Sequence, residues 1–201
     1  MERAMTDIFQ EPDDATPLTP EERDALLQTW ITDRDDLNEA EQENIVKGAA
    51  WARRRRGKAV DLLNEDFAKT LHKQMFGEVW KWAGAYRQTE RNIGIEAYRI
   101  PTEMPAMFGD VRYWIEHETH TPDEIAVRLH HRLTAIHPFP NGNGRHARLM
   151  ADLLIERLGG QAFTWGGGSL ANIGELRKRY VAALKAADNH DVGALLEFAR
   201  S

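Results

Sequence analysis

The segment HPFPNGNGRHAR, residues 137–148, contains the residue types best able to do chemistry in this chain. Gly142 and Gly144 have no Cβ, so the backbone there can curl and approach a ligand closely. The N–H groups of such a loop, and of a helix that follows it, converge on a concavity that suits an anion. His137 stands at the entrance, and an imidazole with its ordinary pKa of ~6.5 suits a general base near neutral pH.

Two arginines extend this interpretation. Arg145 and Arg148 are three residues apart, a spacing that places both side chains on one helix face. Two guanidinium groups beside a nest of N–H groups suit a di- or triphosphate better than a single carboxylate. The pattern is not a Walker A loop, because GxxxxGK[ST] is absent, and it lacks the strand context of a dinucleotide fold. The segment therefore predicts a helix–loop–helix polyphosphate site with a histidine base.

The elements that must position this site are predicted to be mostly helical. The spacing of apolar residues predicts a helix over 121–136 that breaks at His137, and a second helix that runs from Arg145 to Leu158. Further helices are predicted through Leu26, Leu27 and Trp30, over 35–56, over 58–75 and across about 170–200. Residues 87–101 carry Thr, Ile and Tyr around Asn92 and Gly94, which suggests a small β-hairpin. We expect a mainly α fold, with an N-terminal arm and helical extension over 1–57 and a core over 58–201.

Composition narrows the class of function. Asp and Glu number 32 against 26 Lys and Arg, a formal net charge of −6, so we expect no direct nucleic-acid binding and no membrane binding. Cysteine is absent, which excludes disulfides, thiolate metal sites and cysteine nucleophiles and fits a reducing compartment. The acidic N-terminus has no apolar stretch of a secretion signal, and no apolar run approaches the ~20 residues of a membrane helix. We expect a cytoplasmic protein.

Residues 137–148 resemble the motif of the Fic family, HxFx[D/E]GNGRxxR. Seven positions match, namely His137, Phe139, Gly142, Asn143, Gly144, Arg145 and Arg148. VWKWAGAYR (79–87) resembles the family's segment before its target-binding flap, and residues 180–198 resemble its C-terminal helices. Together with LNEAEQENI (37–45), the motif and the length resemble the subgroup called mobile mystery protein B.

This resemblance implies a Fic-type helical bundle with a hairpin flap, and a protein adenylyltransferase that moves AMP from ATP to a Ser, Thr or Tyr hydroxyl. It implies that His137 deprotonates that hydroxyl and that Phe139 anchors the loop. It also implies an anion hole around the α- and β-phosphates made by Gly142, Asn143 and Gly144, with Arg145 on the β-phosphate, Arg148 on the γ-phosphate, and Mg²⁺ neutralising charge. Tyr180 is the aromatic residue expected beside adenine.

One position departs from the family pattern. Asn141 stands where the family has the Asp or Glu that binds Mg²⁺. Because an amide carbonyl can still ligate magnesium, we expect weaker metal binding rather than none. The alternative is a catalytically weak nucleotide-binding module. A second alternative is phosphoryl transfer as in the Doc branch, which replaces the second glycine of the anion hole with lysine, and Gly144 argues against it.

The resemblance also implies binding partners and an autoinhibitory helix. An extended stretch of a target protein would bind to the flap at Asn92, Ile93 and Gly94 by strand addition. Many members carry an inhibitory helix, [S/T]xxxE[G/N], and Glu43 with Asn44 matches its end within residues 37–56. The match is partial, because Glu39 stands at the Ser/Thr position. Glu43 would then pair with Arg148; it equally fits an acidic, solvated helix face. An antitoxin-like companion protein and a homo-oligomer complete the expected partners.

Overall fold

A computed structural model describes residues 19–55, 57–167 and 173–201. Its helices are α1 (Pro20–Arg23), α2 (Arg34–Arg54), α3 (Glu65–Phe76), α4 (Ile100–Glu116), α5 (Pro122–Ile136), α6 (Asn143–Arg157), α7 (Ile173–Asp188) and α8 (Gly193–Arg200), with 3₁₀ turns at Ala59–Leu62 and Ala97–Arg99. The prediction of a mainly helical fold is confirmed. Residues 1–18 of the predicted N-terminal arm lie outside the described ranges.

The centre of the fold is the pair α5 and α6. Leu129 and Leu133 of α5, and Met150 and Leu154 of α6, are all buried at helical spacing. Burying each such side chain contributes about 2 kcal/mol. Helix α4 packs on α5, α2 packs on α3, and α8 joins α7 to α5. This packing fixes the C-terminal end of α5 and the N-terminal end of α6, which residues 137–142 connect.

Local sequence chemistry explains where α5 and α6 meet. The hydroxyl of Thr121 caps α5 by accepting from the N–H of Glu124 at 3.3 Å, as expected of a threonine cap. Helix α5 ends at His137, whose backbone is left-handed with φ 54° and ψ 59°. Helix α6 begins after Gly142, also left-handed with φ 77°. Two left-handed residues at the ends of the six-residue loop 137–142 therefore reverse the chain tightly.

The predicted β-hairpin over 87–101 is not present. Residues 88–96 form bends, the 3₁₀ turn follows, and α4 begins at Ile100. The guanidinium of buried Arg87 binds the carbonyl oxygens of Thr89 and Ile95, which occupies groups that a ladder would use. Within the described ranges, the isolated bridges comprise one antiparallel pair, Leu26 with Trp80. We call residues 88–96 the flap segment below.

Other boundaries differ from the prediction. No helix runs through Leu26 to Trp30, because α1 ends at Arg23 and the N–H of Leu27 donates to the carbonyl of Val79 at 2.8 Å. The helix predicted over 58–75 is divided, since Asn64 caps α3 through the N–H of Phe67 at 2.8 Å. Helix α4 is not among the predicted helices. In the described part of the chain, no helix combines the length and apolarity needed to span a bilayer.

Candidate functional site

The α5–α6 loop lies on a cavity of about 920 Å³. Its walls come from this loop, the flap segment, α7 and the first residue of α2. The predicted site residues that line it are Asn92, Ile93, His137, Asn141, Gly142, Asn143, Gly144, Arg145, Arg148 and Tyr180. The structure therefore brings together the predicted base, the glycine loop, both arginines and the predicted flap residues.

His137 is held as a neutral imidazole. Its Nδ1 lies 3.4 Å from the carbonyl oxygen of Thr134, so a proton on Nδ1 satisfies that contact and makes Nε2 the basic nitrogen. Burial lowers the pKa of His137 to about 4; the Thr134 contact opposes this shift, and the charges of Arg87 and Arg91 add to it. The ring is therefore uncharged at neutral pH and able to accept a proton at Nε2.

Asn143 closes the loop from inside. Its side-chain amide donates to the carbonyl of Phe139 at 2.8 Å and accepts from the N–H of Phe139 at 2.9 Å. Asn143 is 3% exposed and Phe139 is fully buried, which fits the predicted anchoring role of Phe139. The Asn143 side chain is thus used for loop geometry, and what it can offer an anion is its backbone N–H at the start of α6.

The two motif glycines are required for different reasons. A Cβ on Gly142 would lie 2.5 Å from the Phe76 ring, and its φ of 77° favours glycine. A Cβ on Gly144 would meet only the Tyr180 hydroxyl, at 3.9 Å. Gly142 is therefore needed for folding of the loop, whereas Gly144 keeps the surface open for a ligand.

His72 supports the loop from α3, and sequence reasoning did not identify it. Its Nε2 lies 3.0 Å from the carbonyl oxygen of Asn141, and its Nδ1 accepts from the N–H of Gly84 at 3.0 Å. The ring stacks on Phe139 with centroids 3.8 Å apart. Burial holds the pKa of His72 well below its usual range, so the ring stays neutral, with its proton on Nε2. No spacing in the sequence distinguishes this histidine from a core residue.

The two motif arginines are held by different neighbours. Arg145 donates to Glu41 at 2.6 Å, and the other Glu41 oxygen accepts from Trp80 Nε1 at 2.7 Å. The Arg148 guanidinium lies over the Tyr180 ring, 5.5 Å from its centroid. Both arginines nevertheless line the cavity, so their charges face the space in front of the glycine loop.

The prediction that Glu43 pairs with Arg148 does not match these contacts. Glu43 is exposed, and its charge acts on Lys47 one turn away. The side chain at position 43 points to solvent because Glu41 and Asn44 occupy the buried face of α2. The acid that reaches the motif from this helix is Glu41, and its partner is Arg145.

Tyr180 lies near the loop end of the cavity. Its hydroxyl is 3.0 Å from His130 Nε2 and faces Gly144. Burial raises the pKa of Tyr180, so the hydroxyl keeps its proton and can donate it in a hydrogen bond. The predicted contact with adenine stays a prediction.

Arg87 joins the flap segment to the end of α5. Its guanidinium donates to the carbonyl oxygens of Thr89 at 2.9 Å, His137 at 2.7 Å and Ile136 at 3.4 Å, and to Ile95. Arg87 is 1% exposed. The sequence contained this signal, because an arginine within the apolar segment 79–87 needs buried acceptors.

The flap segment is also held by close packing and by an ion pair. A Cβ on Gly94 would lie 2.7 Å from His137 Cβ, so the flap backbone lies directly against the imidazole. Arg91 pairs with Glu22 of α1, and both side chains are largely buried. Glu22 also accepts from the N–H of Thr19 at 2.9 Å. The N-terminal residues described here therefore anchor the segment that borders the site.

The residues present do not fit a magnesium ion held by the protein. Asn141 Oδ1 accepts from the N–H of Gly142 at 2.5 Å, so the predicted ligand oxygen is already engaged. Of the described residues that line the cavity, none is Asp or Glu. The described part of the chain also shows no group of three or more His, Asp or Glu placed to hold a metal ion. A site for Mg²⁺ ordinarily offers a carboxylate.

The fold and the site together define a helical domain in which a glycine loop and a histidine base face a cation-lined cavity. Residues 62–155 match the model of the Fic/DOC family, and the chain therefore contains a Fic/DOC family domain.

Curated relatives and solved structures agree with this assignment. The protein adenylyltransferase fic-1 of Caenorhabditis elegans is 31% identical over 137 residues, which are 61% of this chain and 27% of that protein. The protein adenylyltransferase Fic of Nematostella vectensis is 30% identical over 93 residues, 44% of this chain and 22% of that protein. The chain thus spans about a quarter of the length of the curated relatives it matches.

The fold is that of solved Fic domains. BepC of Bartonella tribocorum, with bound AMPPNP, superposes with a TM-score of 0.66 at 18% identity, covering 90% of this chain and 97% of that chain. The N-terminal Fic domain of a Bartonella quintana effector, with bound ADP, gives a TM-score of 0.64 at 16% identity, covering 89% and 94%.

Proposed function

We propose that this protein is an adenylyltransferase that transfers AMP from ATP to a hydroxyl of a target protein. The observation that carries the proposal is the single cavity that is lined by His137, the Gly142–Gly144 loop and both motif arginines. The similarity to proteins named protein adenylyltransferase supports it. Solved domains of the same fold hold AMPPNP and ADP, which supports nucleotide as the ligand.

The proposed reaction uses the residues as follows. His137 Nε2 takes the proton of the target hydroxyl as that oxygen attacks the α-phosphorus of ATP. A new oxygen–phosphorus bond forms, the bond from the α-phosphorus to the bridging β-oxygen breaks, and pyrophosphate leaves. Charge on the phosphates is stabilised by loop N–H groups and by Arg145 and Arg148, which are fixed before substrate arrives. We assign no step to a metal ion.

The target is proposed to lie along the flap segment. Asn92 and Ile93 are exposed at the cavity, and Ile93 offers an apolar contact. Because Gly94 lies against His137, a chain docked there would present its hydroxyl close to the base. Cytoplasmic location, an antitoxin-like companion, a homo-oligomer and the mobile mystery protein B subgroup stay predictions.

Labelled nucleotide tests the proposal. Purified protein and a His137→Ala variant are incubated with host lysate and ATP labelled in the α-phosphate, and in parallel with ATP labelled in the γ-phosphate. We expect α-label on a protein band with the wild type and none with the variant, and mass spectrometry should show an added AMP. Transfer of the γ-label would indicate phosphoryl transfer instead, and the absence of both labels would indicate a binding module.

A further inference from the structure

His130 is a fully buried histidine of α5 that takes no part in the proposed reaction. Its Nε2 lies 3.0 Å from the hydroxyl oxygen of Tyr180 on α7. Burial lowers the pKa of His130 to about 3, and the charge of Arg148 adds to this shift. The ring is therefore neutral at neutral pH, and a neutral imidazole donates or accepts one hydrogen bond at Nε2. Either arrangement fixes the position of the phenol oxygen.

Trp165 packs against the His130 ring and is itself anchored. The two ring centroids are 4.6 Å apart. The indole Nε1 donates to Asp152 at 3.0 Å, and the backbone N–H of Trp165 donates to the carbonyl of Ala199 at 3.0 Å. The backbone of Trp165 is left-handed with φ 50°, which is rare for a bulky side chain and persists only where surrounding contacts hold it. His130 is therefore packed against a ring that is fixed in place.

Tyr180 connects this buried group to the motif. The Arg148 guanidinium lies over the Tyr180 ring, 5.5 Å from its centroid, and both side chains line the cavity. Arg145 is held by the carboxylate of Glu41, whereas the ring under Arg148 carries no net charge and does not neutralise the guanidinium. Ordering a long arginine side chain during binding costs conformational entropy. An Arg148 that is held by a fixed ring should therefore bind phosphate more tightly.

We propose that His130 is a positioning residue for nucleotide binding. Its hydrogen bond fixes the hydroxyl of Tyr180, and the Tyr180 ring in turn holds the Arg148 guanidinium in place before a phosphate binds. The inference rests on the proposed function in one respect, that Arg148 binds a phosphate of a nucleotide. It goes beyond that function because nucleotide could bind, and AMP could be transferred, with no contribution from His130.

The alternative is that His130 serves only the folding of the protein, and a double-mutant cycle on AMPPNP binding separates the two roles. Tyr180→Phe keeps the ring and removes the hydroxyl. Calorimetry on the full chain gives dissociation constants for this variant, for Arg148→Gln and for the combination. We expect Tyr180→Phe to weaken binding by about five- to tenfold in the wild type and by less than about twofold beside Arg148→Gln, because residues that act through one contact are not additive.

His130→Gln tests the histidine itself. We expect a loss of AMPPNP affinity similar to that of Tyr180→Phe, with the same dependence on Arg148 and with less than about twofold further loss when the two variants are combined. Thermal denaturation checks that each variant is folded, and if His130→Gln does not fold, the Tyr180→Phe cycle decides alone. Tyr86→Phe is the matched control, since the Tyr86 hydroxyl donates to Glu65 at 3.0 Å and Tyr86 does not line the cavity. It should leave AMPPNP affinity within about twofold of the wild type.

The outcomes separate the two proposals. Absence of AMPPNP binding by the wild type overturns the proposed function and this inference with it. AMPPNP binding that Tyr180→Phe weakens equally with and without Arg148 overturns the inference and leaves the proposed function intact. Wild-type affinity in a folded His130→Gln or in Tyr180→Phe has the same meaning, because the hydrogen bond would then contribute nothing to nucleotide binding.

Discussion

Glu41 accepts a hydrogen bond from Arg145 at 2.6 Å, and its second oxygen accepts from Trp80 Nε1 at 2.7 Å. Glu41 is only 4% exposed, so this contact ties α2 to the first turn of α6 from within the protein. Part of the charge of Arg145 is consequently neutralised before a phosphate enters the cavity. A phosphate that binds Arg145 must share it with this carboxylate.

Replacing Glu41 should therefore raise the affinity for AMPPNP and lower the free energy of unfolding. Glu41→Gln keeps an acceptor for Trp80 but removes the charge beside Arg145, so we expect AMPPNP to bind severalfold more tightly. Loss of the largely buried ion pair should lower the free energy of unfolding by about 2 kcal/mol. Calorimetry and urea unfolding measure the two effects. Glu43→Gln is the matched control on the exposed face of α2, and tighter binding in that variant alone would restore the inhibitory role predicted for Glu43.

Arg87 offers a test of the link between the flap segment and the base. Arg87→Lys preserves the charge but cannot replace a guanidinium that reaches four carbonyl oxygens. Unsatisfied buried carbonyls should cost about 2–4 kcal/mol of stability. We expect the rate of AMP transfer to fall by more than about tenfold while AMPPNP affinity changes little, because the phosphate contacts lie elsewhere. Arg99→Lys, at an exposed ion pair, should alter neither quantity.

The two motif glycines should respond differently to alanine. Gly142→Ala places a Cβ 2.5 Å from the Phe76 ring at a φ of 77°, so we expect a loss of about 2 kcal/mol or more in unfolding free energy. Gly144→Ala meets an open space, with its closest neighbour at 3.9 Å, and should melt within a few degrees of the wild type. Thermal denaturation of Gly142→Ala and Gly144→Ala measures this difference in stability. Equal melting temperatures would contradict the role assigned to Phe76.

Acid should destabilise the protein through its buried histidines. Burial lowers the pKa of His130 to about 3, and those of His137 and His146 to about 4. Between about pH 6.5 and 4 the unfolded chain binds protons that these folded side chains refuse, so stability rises with pH across this window. Each such group should cost about 2 kcal/mol at pH 5 relative to pH 7.

Urea unfolding at pH 7 and pH 5 measures that loss. Burial holds the pKa of His72 well below its usual range as well, so His146→Gln removes one of four groups and should reduce the pH dependence by roughly a quarter. Identical unfolding free energies at the two pH values would show that the folded protein takes up these protons.

Local signals in the sequence predicted the centre of the site. A proline and a threonine cap at the start of α5, two glycines and two arginines three apart are all features of neighbouring residues. The structure places them as a helix, a loop and a helix around one cavity. Propensity and spacing predict the turn because contacts that close the loop join residues near in sequence, such as Asn143 with Phe139. The support that His72 gives the loop from α3 is a contact between distant residues, and the sequence did not predict it.

Contacts between distant residues account for what the sequence did not predict. The sequence of the flap segment favours a hairpin locally, but Arg87 binds the carbonyl oxygens of Thr89 and Ile95 that paired strands would use. The same guanidinium binds the carbonyl oxygen of His137, 50 residues away in sequence. Glu41 was not singled out because its partner lies 104 residues away. Helix α4 contains Pro105 in its interior, which weighs against a helix locally, yet packing of its apolar face on α5 outweighs that preference.

The hydrogen bonds of Arg87 to both the flap segment and the end of α5 bear on which hydroxyl of a target protein can react. Because this one buried side chain binds both segments, the protein itself fixes the distance between residues 92–94, where a target would dock, and the imidazole of His137. The number of residues between the docked stretch of the target and its hydroxyl would then decide which hydroxyl is modified. The identity of the residues around that hydroxyl would matter less.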